Sequence, residues 1–183
     1  MENTEKVNNN ENGLDDTEVS IVTEFRKITK RYWDYKELEN DIKSNKWITS
    51  EIKRSIREIG EKEFDVAPDE YENAWLFDLV WYTNKDNHLE KVVLALESEL
   101  SDRSKNGLKY DFEKLLIINS KYKIFICFGE GNNKHPQNVN NLITFFEECV
   151  NSYSNLNNDF RILILIWEDY QFGNVFPHLI TKQ

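Results

Sequence analysis

The chain has 183 residues, 39% hydrophobic and 13% aromatic, with a formal net charge of -10. Five Trp, eight Tyr and eleven Phe exclude a mostly disordered protein, and the length suits one domain with a core of its own. No apolar run approaches the roughly 18 residues needed to span a bilayer, and Met1 to Asp16 lacks the basic start and apolar stretch of a signal peptide. A soluble, cytoplasmic protein without membrane contact is expected.

In chain order, residues 1–17 are Asn-rich, hold five acids against one base, and predict a disordered acidic tail. Ile21, Val22, Phe25, Ile28, Tyr32 and Trp33 recur at helical spacing and predict a helix from Glu18 to about Tyr35. Leu38 and Ile42 suggest a short second helix. Ile48, Ile52, Ile56 and Ile59 mark a third, with Thr49 or Ser50 as N-cap and Gly60 at its C-cap. This helical N-terminal part, 18–63, is the basic-leaning region: Glu24 to Glu63 holds eleven Lys/Arg against nine Asp/Glu.

A mixed-sheet core is expected over 70–183, completing one domain from 18 to 183. Ala74 to Tyr82 and Lys91 to Glu99 read as two strands of a hairpin, with turn residues from Thr83 to His88. Leu108 to Ser120 returns to helical period, Tyr122 to Phe128 is strand and Asn138 to Tyr153 helix. Phe160 to Trp167 is a continuous apolar strand, and Phe172 to Ile180 reads as a last one. A hairpin followed by two strand–helix–strand crossovers predicts a mixed central sheet with helices on both faces. That is a three-layer α/β/α sandwich.

Several chemistries lack their residues. Cys127 and Cys149 read as free thiols, buried or half-buried, in a reducing compartment. His88, His135 and His178 show no metal-ligand spacing, and no Walker A, G-x-S-x-G or G-x-G-x-x-G motif occurs. Gly129-Glu-Gly131 reads as loop punctuation. The acids in the hairpin stand apart, because Asp78, Glu97 and Glu99 interrupt strands that are otherwise apolar. A carboxylate there is costly unless a metal, a base or water meets it. With the turn at Asp86–Asn87, paired positions place Asp78 opposite Ala95 and diagonal to Glu97, on the face shared by residues 95, 97 and 99. Three such acids suit a hard divalent cation, Mg²⁺ or Mn²⁺, which can activate water against a phosphodiester.

Asp78, about twenty residues, then Glu97-Ser-Glu99 and the following helix Asp111-Phe-Glu-Lys114 resemble the PD-(D/E)XK nuclease superfamily, the restriction-endonuclease-like fold. The resemblance implies that Asp78 and Glu97 are metal ligands, and that Glu99 stands where the usual motif has Lys. Glu there is similar to a variant of some type II restriction enzymes, in which it acts on the attacking water or binds metal. Alternatively the lysine has moved to the helix as Lys114. Phe77 precedes Asp78 where the superfamily's name has Pro. The catalytic set is then Asp78, Glu97, Glu99 and Lys114, with phosphate contacts expected from Arg26, Lys30, Arg31, Lys53, Arg54 and Arg57.

The expected activity is a metal-dependent endonuclease acting on DNA, a restriction or defence component. A catalytically silent nuclease-fold protein acting as an immunity, inhibitor or regulatory subunit is the alternative, and the net charge and Glu99 favour it. Whether the protein works as a homodimer or with a partner subunit stays open.

Overall fold

The computed structural model describes residues 13–38, 45–64, 66, 76–102, 104–129, 131–132, 135–136, 139–168 and 174–182. Most of the expected tail and the short helix expected near Ile42 lie outside them.

Helix α1 (Asp16–Leu38) begins two residues before its expected start. Asp15 and Glu18 cap it reciprocally: the Glu18 amide donates to Asp15 Oδ1 and the Asp15 amide to Glu18 Oε2, each at 3.0 Å. Glu18 also accepts both Nε and Nη2 of Arg161, and Nη2 reaches the Gly13 carbonyl. The Tyr122 hydroxyl lies 3.0 Å from Asp15 Oδ2 and 3.2 Å from Thr17 Oγ1. Gly13 to Thr17 is therefore fastened to the sheet rather than part of a free tail.

Helix α2 (Asn45–Phe64) starts before Thr49 and Ser50 and runs past Gly60, so neither expected cap is one. Ser50 donates back to the Lys46 carbonyl within the helix. Gly60 is there for space: a Cβ would sit 2.6 Å from the Trp81 ring. The chain continues through β1 (Leu79–Lys85), β2 (His88–Glu99), α3 (Lys105–Ile117) and β3 (Ser120–Phe128). Next come β4 (Gly131–Asn132), β5 (His135–Pro136), α4 (Val139–Ser152), β6 (Arg161–Glu168) and β7 (Asn174–Thr181). The short β4–β5 ladder, in the stretch read as a loop, was not expected.

The fold is α/β, with a five-stranded mixed sheet of order β1-β2-β3-β6-β7. The β1–β2 and β6–β7 pairs are antiparallel, while β2–β3 and β3–β6 are parallel. Helices α3 and α4 make the two crossovers. Pro177 is tolerated because β7 is an edge strand. Alternation along the strands divides the core in two. Leu94, Leu96, Ile124, Ile126, Leu163 and Leu165 pack with Ile21, Phe25 and Ile28 of α1 and Ile52 and Ile56 of α2. Ala95, Phe125, Cys127 and Ile164 pack with Leu108 and Phe112 of α3 and Leu142 and Phe146 of α4. Strands β3 and β6 are apolar over residues 124–128 and 162–167, where both of their faces are covered. No helix among the described residues is long and apolar enough to cross a membrane.

Candidate functional site

The hairpin decides which acids can meet. Its turn is at Asp86–Asn87, whose φ angles of 53° and 63° are both left-handed, as a two-residue I′ turn requires. The expected register holds at Lys85↔His88 and Asn84↔Leu89. Two irregularities, between Thr83 and Asn84 and between Trp81 and Tyr82, each then advance β2 by one residue. By Leu79 the partner is Leu96, and the Asp78 amide, just outside β1, donates to the Leu96 carbonyl at 3.1 Å, so Asp78 is not set opposite Ala95. Residues 95, 97 and 99 keep the face that meets α3.

Glu97 is 4% exposed, near the end of β2 and under α3. Lys114 Nζ lies 2.7 Å from Glu97 Oε1 and 2.8 Å from Asp111 Oδ1, one turn earlier on α3. The ammonium is thus the counter-ion of that buried oxygen. Burial pushes the Glu97 carboxyl up to about 8; Lys114 opposes the shift, and the charges of Asp78 and Asp111 add to it. Lys114 also donates to the carbonyl of Leu76, an exposed residue with a left-handed φ of 71°. Burial opposes its charge, but Asp111 and Glu97 outweigh that and hold Lys114 above the ordinary lysine range.

Glu99 is turned into its own loop. Its Oε1 accepts the Ser101 amide, the Ser101 hydroxyl and the Asp102 amide, each at 2.7 Å. Burial works against its charge, yet these donors and Asp111 keep it below the usual carboxylate range. Asp111 is raised, by burial first and by Glu99 as well, with Lys114 acting against both.

Asp78 faces another way. Its Oδ2 accepts the Ser98 amide at 2.8 Å and the Ser98 hydroxyl at 2.7 Å, and Lys53 of α2 stands 3.2 Å from Oδ1. The structure thus gathers Glu97, Glu99 and Lys114, with Asp111 between them, and ties the Asp78 carboxylate to Ser98 and Lys53 beside them. Among the described residues, no group of three His, Cys, Asp or Glu side chains is placed to hold a metal ion. Asp111 and Ser98 were missed as members of the site. The i,i+3 spacing of Asp111 and Lys114 was the available signal for the first.

The basic residues of α1 and α2 are largely engaged by acids. Arg31 lies 3.6 Å from Glu24 and 3.7 Å from Glu51, and Arg54 is 2.9 Å from Glu51 and 2.6 Å from Glu58. Lys53 holds Asp78. Lys30 is exposed, while Arg26 and Arg57 are half-buried. Cys127 is buried and Cys149 half-buried, both free. No family model, curated protein or solved structure matches the chain.

A pH dependence follows from Glu97. Its folded-state pKa lies above the unfolded value, so its contribution to stability is full below pH 4.5 and is lost as pH rises through about 8. Glu97→Gln has no such proton to lose. Between pH 5 and pH 9 the wild type should lose stability relative to this variant, measured as urea midpoints. Parallel curves would mean that Glu97 titrates as an ordinary solvated carboxylate.

Proposed function

We propose that the chain is a metal-dependent nuclease with a three-layer α/β/α, restriction-endonuclease-like fold, hydrolysing DNA phosphodiesters. One observation carries the reading: Glu97 is buried under α3 with the Lys114 ammonium 2.7 Å from its Oε1, so a carboxylate and a lysine stand together at the end of β2. A buried carboxylate held by a cationic partner suits a cation. Asp78 and Glu99 suit one less readily, because their oxygens are held by hydrogen bonds. Glu97, with Asp78 released from Lys53, would hold Mg²⁺ or Mn²⁺, which when bound supplies Lewis-acid polarisation of a phosphate and an activated water.

The chain's own groups do the rest. Lys114 presents a fixed positive charge where a phosphate enters and orients the water's lone pair. Asp111 steadies the Lys114 ammonium from one turn earlier on α3. Lys53, once parted from Asp78, and exposed Lys30 would meet the strand's backbone.

A second reading is a nuclease-fold protein that acts by binding another protein. The engaged state of Asp78 and the acids paired with Arg31 and Arg54 favour it. Supercoiled plasmid incubated with Mg²⁺ or Mn²⁺ separates the two. We expect nicking that EDTA stops and Glu97→Gln abolishes. Absence of nicking with either metal, or equal nicking by the variant, rejects the nuclease reading.

A further inference from the structure

Outside the carboxylate site, a pocket of about 690 Å³ lies at the other end of the parallel strands. It is lined by the amino ends of β3 and β6, the carboxyl ends of α3 and β7, and the loop between α4 and β6. That volume is within the usual range for small-molecule sites. Its lining includes Lys121, Lys123, Arg161 and Lys182 against one acid, Asp159, in a chain whose net charge is -10.

Lys123 is the unusual member. It is 7% exposed, on a strand whose other residues facing α3 and α4 are Phe125 and Cys127. Its ammonium donates to the Ser120 carbonyl at 2.7 Å and lies 5.4 Å from the centre of the Phe160 ring. A carbonyl and a ring are weak compensation for a buried charge, which ordinarily requires a counter-ion. Burial accordingly pushes Lys123 below the ordinary lysine range, with the charge of Asp159 offsetting this in part. Lys182 likewise spends its ammonium on one carbonyl, that of Leu156 at 2.9 Å. Arg161 is already paired with Glu18.

We propose that this pocket binds a small phosphomonoester of mononucleotide size, its phosphate against Lys123 and Lys182 and its polar body against the Asn-rich loop. The ligand supplies the counter-charge that the protein withholds from Lys123. A phosphomonoester fits better than a carboxylate, because it brings three strong acceptor oxygens and a charge of about -1.5 to -2 to a site with several ammonium donors. Asn155, Asn157 and Asn158 offer amides that both donate and accept, and half-buried Tyr153 offers a ring. The site is independent of the nuclease reading, since Glu97, Asp111 and Lys114 do not line it.

The test is calorimetry with 5′-AMP at constant ionic strength, with adenosine and inorganic phosphate as comparisons. We expect one saturable site for 5′-AMP, with adenosine and inorganic phosphate each at least tenfold weaker. Lys123→Met should weaken 5′-AMP at least tenfold while circular dichroism and any metal-dependent cleavage stay unchanged. Should that variant fail to fold, Lys182→Gln on the exposed rim should weaken 5′-AMP at least threefold. Absence of saturable 5′-AMP binding, affinity equal to that of adenosine or of phosphate, or affinity unchanged by both substitutions would overturn the proposal.

Discussion

Replacing Lys114 with Met should cut metal-dependent cleavage by about 10²–10⁴-fold, the scale on which charged or proton-transferring active-site groups act. Glu99→Gln should be milder. The geometry ranks them: Lys114 stands 2.7 Å from Glu97, while Glu99 spends one oxygen on three donors of its own loop. Losing the Lys114 ammonium also leaves buried Glu97 and half-buried Asp111 as neighbouring acids without their shared cation. Glu97 would then hold its proton to still higher pH and bind a cation less well at neutral pH. That part of the loss should be recovered by raising the pH or the Mn²⁺ concentration, whereas lost phosphate contact should not be. Turnover measured against metal concentration separates the two effects. If Glu99→Gln proved the more damaging change, the functional role would pass to Glu99 and Lys114 would be a bridging residue of the fold.

The order of the major elements was legible because each carried its own period. Ile21, Phe25 and Ile28 had no role except on a buried helix face, and Phe160 to Trp167 none except as a strand covered on both sides. The boundaries went astray where a tertiary contact overrode a local signal. Gly60 looked like a helix stop, but α2 runs through it because the Trp81 ring occupies the space where a Cβ would be. Asp15 and Asp16 looked like part of a polar tail although Asp15-x-x-Glu18 has capping-box spacing, while the pairing of Glu18 with Arg161, 143 residues away, has no local signature.

The site shows the same division. That residues 95, 97 and 99 share a face follows from the strand's period of two. The register leading to Asp78 depended on two bulges that alternation cannot reveal, which together moved β2 by two residues against β1. The direction of the Asp78 carboxylate depended on Ser98, which sits between the two glutamates, and on Lys53, which was read as a phosphate contact and stands 3.2 Å from Asp78. The buried Lys123 was not singled out, because a lysine within an apolar strand has the pattern of an edge residue until the neighbouring strands are placed.

Glu18→Ala should lower the melting temperature by about 6–12 °C, corresponding to about 3 kcal/mol for a chain of this size. Glu18 is 1% exposed and has two tasks at once. It closes the cap of α1 with Asp15, and such caps contribute about 1 kcal/mol. It also pairs through both oxygens with Arg161, which is 27% exposed. Removing one partner of a fully buried pair costs about 3–5 kcal/mol, and the partial exposure of Arg161 places this case below that range. Arg161→Met should cost less, because Glu18 keeps its cap with Asp15. The double variant should be less destabilised than the two single effects combined, since each single change already breaks the pair. Deleting residues 1–12 leaves all of these contacts in place and should not reproduce the loss, whereas deleting 1–17 should. A melting temperature for Glu18→Ala within 2 °C of the wild type would mean that water replaces the carboxylate at no cost, and that α1 is held to the sheet by its apolar face alone.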